Sequence, residues 1–193
     1  ASDLDSGNYH YVTKIFTDQI HRPFSLIVFD HHTDMQQPLM EGMMSCGDWA
    51  GMVLDQNPAL QQFILIGPAE DDIRQIRTEY PDKLITFSAE EIRKGEGVER
   101  LKQIHGGVPL YISIDKDVLS EQYSETNWNQ GELTLGMLEH MLQYFLERAS
   151  VYGIDICGEC STAIALPEYF QAEGVNGKTN VELFRFLRSY CCS

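Results

Sequence analysis

Five short apolar runs, separated by stretches with helical spacing, constrain what this chain can fold into more than any other feature. They fall at residues 25–30 (SLIVFD), 63–67 (FILIG), 83–87 (KLITF), 109–115 (PLYISID) and 151–157 (VYGIDIC). Each is dense in Ile, Leu, Val or Phe on both faces. That is the pattern of strands buried on two sides in a parallel sheet. Helices are expected over 10–20, from 48 to 54 and beyond, and over 70–79, which carries acids at its start as the helix dipole favours. Further helices are expected over 88–104, where Ser88 and Glu91 have capping-box spacing, over 133–149 and over 180–190. Strand–helix alternation predicts an α/β fold, a three-layer sandwich with a mainly parallel sheet, in a single domain spanning 1–193.

Charge narrows the partners. The chain carries 29 Asp and Glu against 14 Lys and Arg, a formal net charge of −15. Binding a nucleic-acid backbone or an anionic membrane surface needs clustered positive charge, so neither partner is expected. No apolar run approaches the ~20 residues of a bilayer span. Five cysteines are an odd number and few for 193 residues, which argues against a secreted disulfide scaffold and fits a reducing cytoplasm.

In a parallel sheet, ligands gather outside the carboxyl ends of the strands. Two of those ends are conspicuous. After SLIVF comes Asp30-His31-His32-Thr33-Asp34, and LYISI runs into Asp115-Lys116-Asp117. Carboxylates crowded at buried strand ends are poorly solvated and repel one another, so an unpaired cluster is costly. Residues two apart in an extended segment share a face, which sets Asp30, His32 and Asp34 together and turns His31 and Thr33 away. The same spacing joins Asp115 and Asp117 and turns Lys116 aside. A pair of divalent cations is the simplest neutralising partner, and mixed carboxylate–imidazole ligation suits Mn²⁺, Fe²⁺ or Zn²⁺.

The pair F-D-H-H-T-D and S-I-D-K-D resembles the arginase/ureohydrolase superfamily, which carries D-A-H-x-D and S-x-D-x-D at these places. The resemblance implies a single α/β domain with a site for two Mn²⁺ ions. It further implies that Asp30 and Asp115 bridge the two metals, that His32 and Asp117 complete one of them, and that Asp34 completes the other. The remaining family ligand is a histidine in an upstream Gly-rich turn, which here matches Ser6-Gly7-Asn8-Tyr9-His10, so His10 is the candidate. Residues 130–134 (QGELT) look like the family's G-G-L-T helix entry, and 153–159 (GIDICGE) like the late strand that ends in a substrate-binding glutamate. Glu159 is that carry-over, with one residue more in between, and Asn180 onward matches the last helix.

From this likeness follows the expected activity: hydrolysis of a non-peptide C–N bond in a guanidino, amidino or amide substrate through a metal-bridging hydroxide. The expected catalytic residues are Asp34, hydrogen-bonded to the metal-bound water, and Glu159, paired with a cationic substrate. Many superfamily members are trimers or hexamers, so a homo-oligomer is compatible with the chain. Family domains have a strand and helix before the Gly-rich turn, whereas His10 stands close to Ala1. The expectation is therefore that Ala1 is not the natural beginning and that the first βα unit is missing.

Two departures separate the chain from true arginases. A proton-shuttle histidine usually stands about a dozen residues after D-x-H-x-D, where this chain has Ser45-Cys46-Gly47-Asp48-Trp49, read either as placing Cys46 or Asp48 to take part instead or as a turn in which Asp48 caps the next helix and Trp49 packs. The Asp-Pro that usually follows S-x-D-x-D is Leu119-Ser120 here. Specificity is therefore not inherited. Two rival readings stand beside the hydrolase: a metal-binding member without turnover, and a thiol redox protein built on Cys157-Gly158-Glu159-Cys160. The Cys191-Cys192 pair reads as a frayed tail.

Overall fold

The computed structural model describes residues 1–37, 44–160 and 165–191. Six strands form one sheet: β1 (Ser2–Asp3), β2 (Phe24–Phe29), β3 (Leu60–Ile66), β4 (Leu84–Phe87), β5 (Leu110–Asp115) and β6 (Val151–Cys157). Their order is β1-β6-β5-β2-β3-β4, and every neighbouring pair is parallel. The helices are α1 (Val12–Thr17), α2 (Trp49–Gln56), α3 (Glu70–Ile73), α4 (Ala89–Lys94), α5 (Leu135–Leu146) and α6 (Leu166–Cys191).

Both faces of the sheet are covered, as the two-sided apolar runs require. Along β2, Ile27 and Phe29 join Ile112 and Ile114 of β5 against Leu138 and Leu142 of α5 and Leu183 and Leu187 of α6. The intervening Leu26 and Val28 pack with Phe63 and Leu65 of β3 against Trp49, Val53 and Leu54 of α2. The result is a helix–sheet–helix sandwich with two cores, one on each face.

Several helices differ from their expected extents for local reasons. The segment after Ser88 begins with the expected capping box, then stops after Lys94 because Gly95 (φ 69°) adopts the left-handed conformation. The chain resumes only as a 3₁₀ turn at Val98–Gln103. The 70–79 segment yields just the four residues of α3, none of them buried, since it has no apolar face to anchor. In contrast, α6 begins well before Asn180. Ala172, Asn176, Thr179, Leu183 and Leu187 are all buried along it, and the side chain of Asn176 exchanges hydrogen bonds with the backbone of Glu125. β1, only two residues long, was too short to betray itself by periodicity.

Topology positions the site. From β2 the chain builds outward through β3 and β4, then returns to the opposite side of β2 to lay down β5, and moves outward again to β6. The crossovers diverge between β2 and β5, opening a crevice at the carboxyl ends of those two strands. In register, Phe29 pairs with Ile114 and Asp115 with Cys157.

Candidate metal centre

Asp30 directly follows β2 and Asp115 ends β5, so the register sets the two carboxylates side by side at the crevice. Asp30, Asp115 and Asp117 are buried, with exposures of 1%, 3% and 1%. Around them the structure assembles all six expected ligands into overlapping groups, His10–Asp30–Asp34 and Asp30–His32–Asp117, with Asp115 joined through His10 and Cys157. A cavity of about 250 Å³ opens over the cluster, lined by Gly7, Asp30, His32, Asp34, Gln36, Ser45, Cys46, Gly47, Asp115, Asp117 and Trp128. A larger cavity of about 680 Å³ lies between α4 and α5 and is mostly apolar, with Phe87, Met137, Met141 and Phe145 among its lining residues. Among the described residues, the groups of potential metal ligands occur only at the strand-end crevice.

His10 is held by a buried relay. Its Nε2–H donates to Ser113 Oγ at 2.8 Å, and that hydroxyl donates to Asp155 Oδ1 at 2.6 Å, which also accepts from Thr13 Oγ1 at 3.1 Å. With the proton fixed on Nε2, the Nδ1 lone pair faces into the cluster. There it stands 3.1 Å from Asp30 Oδ2, 3.2 Å from Asp34 Oδ2 and 3.6 Å from Asp115 Oδ2, yet no hydrogen bond satisfies it. A buried acceptor aimed at three carboxylates is tolerable only when a proton or a cation lies between them. Burial opposes protonation of His10, but its contacts with Cys157 and with the carboxylates of Asp30 and Asp34 outweigh that cost and hold the imidazole's pKa well above its usual value.

The other half of the cluster behaves alike. His32 Nδ1 is 2.8 Å from Asp117 Oδ2 and 3.6 Å from Asp30 Oδ1. The bonds to Asp117 and Asp30 push its pKa to about 11 against the cost of desolvation. Burial raises the carboxyls of both Asp115 and Asp117, and the neighbouring charges of Asp117 and Asp30 respectively add to it. Two glycines make room around Asp115: a Cβ at Gly7 would stand 2.8 Å from Asp115 Oδ2, and one at Gly158 (φ +94°) would stand 2.5 Å from Oδ1. Four carboxylates, two imidazoles and a crowded cradle fit a pair of divalent cations in charge, donor chemistry and room.

Asp34 has left-handed backbone geometry (φ 49°), unusual for a residue other than glycine. Two contacts hold it there. Its carbonyl accepts from the N–H groups of Ala50 and Gly51 in the first turn of α2, and its Oδ2 accepts from Trp49 Nε1–H at 2.6 Å. Trp49 therefore does more than pack. Asp48 departs from its expected role, because its carboxylate accepts from the N–H of Ser45 at 2.8 Å and makes no cap bond to α2.

Glu159 is placed differently from the other expected residues. Its carboxylate accepts from Lys116 Nζ and from Asn180 Nδ2, and it is not among the residues lining the cavity. Lys116, turned aside as the spacing implied, is fully buried. His31 and Thr33 also stand away from the cavity over the cluster. Trp128, whose ring lies 5.9 Å from that of His32, was missed. It sits in an irregular loop with no periodicity or motif to mark it.

The C-x-x-C reading meets an unfavourable geometry. Cys157 ends β6, is wholly buried and donates to Asp115 Oδ2 at 3.1 Å, while the helix start weighed at 161–163 lies outside the described residues, as does Cys192. Among the described residues, no helix is long and apolar enough to cross a membrane.

Similarity to known proteins supports the fold and the family. An uncharacterized protein of Thermotoga maritima is 28% identical over 156 residues, covering 81% of this chain and 56% of that protein. An agmatine ureohydrolase of Thermoplasma volcanium has a similar fold, with a TM-score of 0.72, 15% identity and coverage of 97% of this chain and 61% of that one. A hypothetical agmatinase of Burkholderia thailandensis follows at 0.69 and 20%, covering 97% and 57%. A formimidoylglutamase of Bacillus subtilis gives 0.65 and 16%, covering 96% and 59%. The chain thus spans somewhat more than half the length of each of these proteins. The family model for the arginase family matches residues 10–163, most of the sequence and all six expected metal ligands, and the chain belongs to that family.

Proposed function

We propose that residues 1–193 form a single arginase-like unit that hydrolyses a non-peptide C–N bond in a small amidino, guanidino or amide substrate, with two divalent cations, Mn²⁺ first among them, held by His10, Asp30, His32, Asp34, Asp115 and Asp117. One observation carries this reading: the Nδ1 atom of His10 is buried, has no hydrogen-bond partner and faces three carboxylate oxygens at 3.1–3.6 Å. Bound there, the cations would supply an acidified water and positive charge opposite the charge that develops during attack.

The chain's own groups do the rest. Asp34, fixed by Trp49, presents a carboxylate at the cavity wall that can take a proton from the attacking water. His32 is partly exposed and faces Trp128, so it can orient a planar substrate group entering from that side. Gln36, Ser45 and Cys46 line the remaining wall, where the family's proton-shuttle histidine is missing, and supply neutral donors and acceptors for the leaving amine. Because Glu159 is already neutralised by Lys116, the cavity has no free carboxylate at that position to select a cation, which favours neutral amide groups over cationic amidino or guanidino ones.

The test is a panel of guanidines, amidines, formamides and amides incubated with the Mn²⁺-loaded protein, read as release of ammonia, urea, formamide or formate. Turnover that disappears in Asp30→Ala together with bound metal is the expected result. Full metal loading with no product across the panel would overturn the hydrolase reading in favour of a binding protein. Retention of full metal content by both Asp30→Ala and Asp115→Ala would remove the metal assignment itself.

A further inference from the structure

We propose that Cys157 is a seventh metal ligand, a thiolate that joins His10 and Asp115 on the cation at the β5–β6 side of the centre. The proposal rests on the metal-centre reading above and adds a sulfur donor to it. Register alone brings Cys157 there: it is the β6 partner of Asp115 in the ladder. Its Sγ lies 3.1 Å from Asp115 Oδ2, the same oxygen that stands 3.6 Å from His10 Nδ1. Ligand atoms of His10, Asp115 and Cys157, one from each, lie within 4.8 Å of one another. Donors bonded to one ion at ~2.0–2.3 Å stand roughly 3–4 Å apart, so the two distances from Asp115 Oδ2 are those of atoms sharing an ion.

The thiol does not stand alone in this. His10 Nδ1, in a side chain only 1% exposed, is the unsatisfied buried atom that points into the same space. Its other nitrogen is tied to Ser113, so the ring cannot turn its lone pair elsewhere. Gly158, with φ +94°, lets the chain leave β6 without a side chain that would strike Asp115 and so keeps Sγ and the carboxylate in contact. On coordination the Sγ–H bond breaks, its proton passes to solvent and the electron pair forms the metal bond. Nothing is oxidised or reduced. A thiolate is a soft ligand, so its presence biases this position away from Mn²⁺ and toward Zn²⁺, Fe²⁺ or Co²⁺.

Cobalt substitution of the full chain reads this without reference to activity. The expected result is an intense near-ultraviolet thiolate-to-cobalt charge-transfer band beside the weaker ligand-field bands. It should be absent in Cys157→Ser and present in a protein in which Cys46, Cys160, Cys191 and Cys192 are all changed to Ser. That second protein leaves Cys157 as the sole thiol and decides the matter even where Cys157→Ser does not fold. Where Cys157→Ser folds, Zn²⁺ affinity should fall at least ~10-fold relative to Mn²⁺. Cobalt bound in stoichiometric amount with ligand-field bands but no charge transfer would overturn the sulfur ligand and leave the metal centre standing. Failure of wild-type protein to bind cobalt, zinc or manganese at all would overturn both.

Discussion

Two sets of carboxylates stand at the ends of neighbouring strands, and they are neutralised in opposite ways. At the end of β6, Glu159 accepts from Lys116 Nζ and from Asn180, and Asp155 accepts from Ser113 and Thr13. The charge of Glu159 is met by a lysine of the same chain, and Asp155 has one oxygen, Oδ1, held by two hydroxyls. At the ends of β2 and β5, the ion pairs of Asp30, Asp34, Asp115 and Asp117 among the described residues involve only His10 and His32, never Lys or Arg. On the function proposed above, the first set is structural and the second receives the cations. Acidic character alone does not mark a cation site; what marks it is a cluster of acids with no lysine or arginine among them.

That contrast breaks or holds on the Lys116–Glu159 pair. Lys116 is fully buried, and Glu159 keeps 21% of its side chain exposed. Removing one partner of a buried pair strands the other charge at a cost of about 3–5 kcal/mol. In Glu159→Ala the stranded charge is the lysine's, with the amide of Asn180 still beside it, so a loss near 3 kcal/mol is expected by denaturant titration, with the metal content unchanged. A loss below about 1 kcal/mol accompanied by collapse of substrate affinity would place Glu159 back in the substrate site, as the family likeness first implied.

How much of this was legible beforehand follows from the range of each interaction. Asp30 and Asp115 could be found because each ends an apolar run, and the switch-point rule converts strand ends into a location. His10 was reachable only through likeness to a family turn, since a lone histidine in a short 3₁₀ segment carries no periodic signal. The partner of Lys116 lies 43 residues away, and no local pattern encodes a contact of that separation. Nor could spacing reveal the positive φ of Asp34, which depends on where α2 starts. Gly95 was visible as a residue, but a glycine within a helical pattern is compatible with continuation, and spacing does not reveal the left-handed φ that breaks the expected 88–104 helix there.

A smaller effect separates the two regions by pH. In the metal-free protein His32 is raised to about 11, and Asp115 and Asp117 are raised by burial and by the charges of Asp117 and Asp30 respectively. All three groups bind their protons more tightly folded than unfolded. Their contribution is complete below the unfolded values and is lost as pH rises through the folded ones, so the metal-free fold weakens with rising pH. On the metal centre proposed above, cations would take the place of those protons and bind better as the ligands deprotonate. The gap between melting midpoints with and without Mn²⁺ should therefore widen from about pH 5 to about pH 8. A constant gap would mean that the cation is held elsewhere. Asp30→Asn should narrow the gap, and Glu159→Gln should leave it in place.

The finest discrimination comes from Trp49, which belongs to the core by its burial and to the site by its indole N–H. Its side chain is wholly buried, its ring centroid is 4.6 Å from that of His10, and it donates to Asp34 Oδ2 at 2.6 Å. Trp49→Phe keeps an aromatic ring in the core and deletes the donor. A hydrogen bond to a charged group contributes about 1.5–3 kcal/mol, and outer-shell partners of ligands change metal affinity by roughly 10–100-fold when removed. The expected outcome is a metal affinity about tenfold weaker in a protein that still folds, measured by competition with a chelator. Should affinity stay constant while stability alone falls, the indole is only filling the core. Asp34 would then owe its left-handed backbone to the first turn of α2 and not to any demand of the metal site.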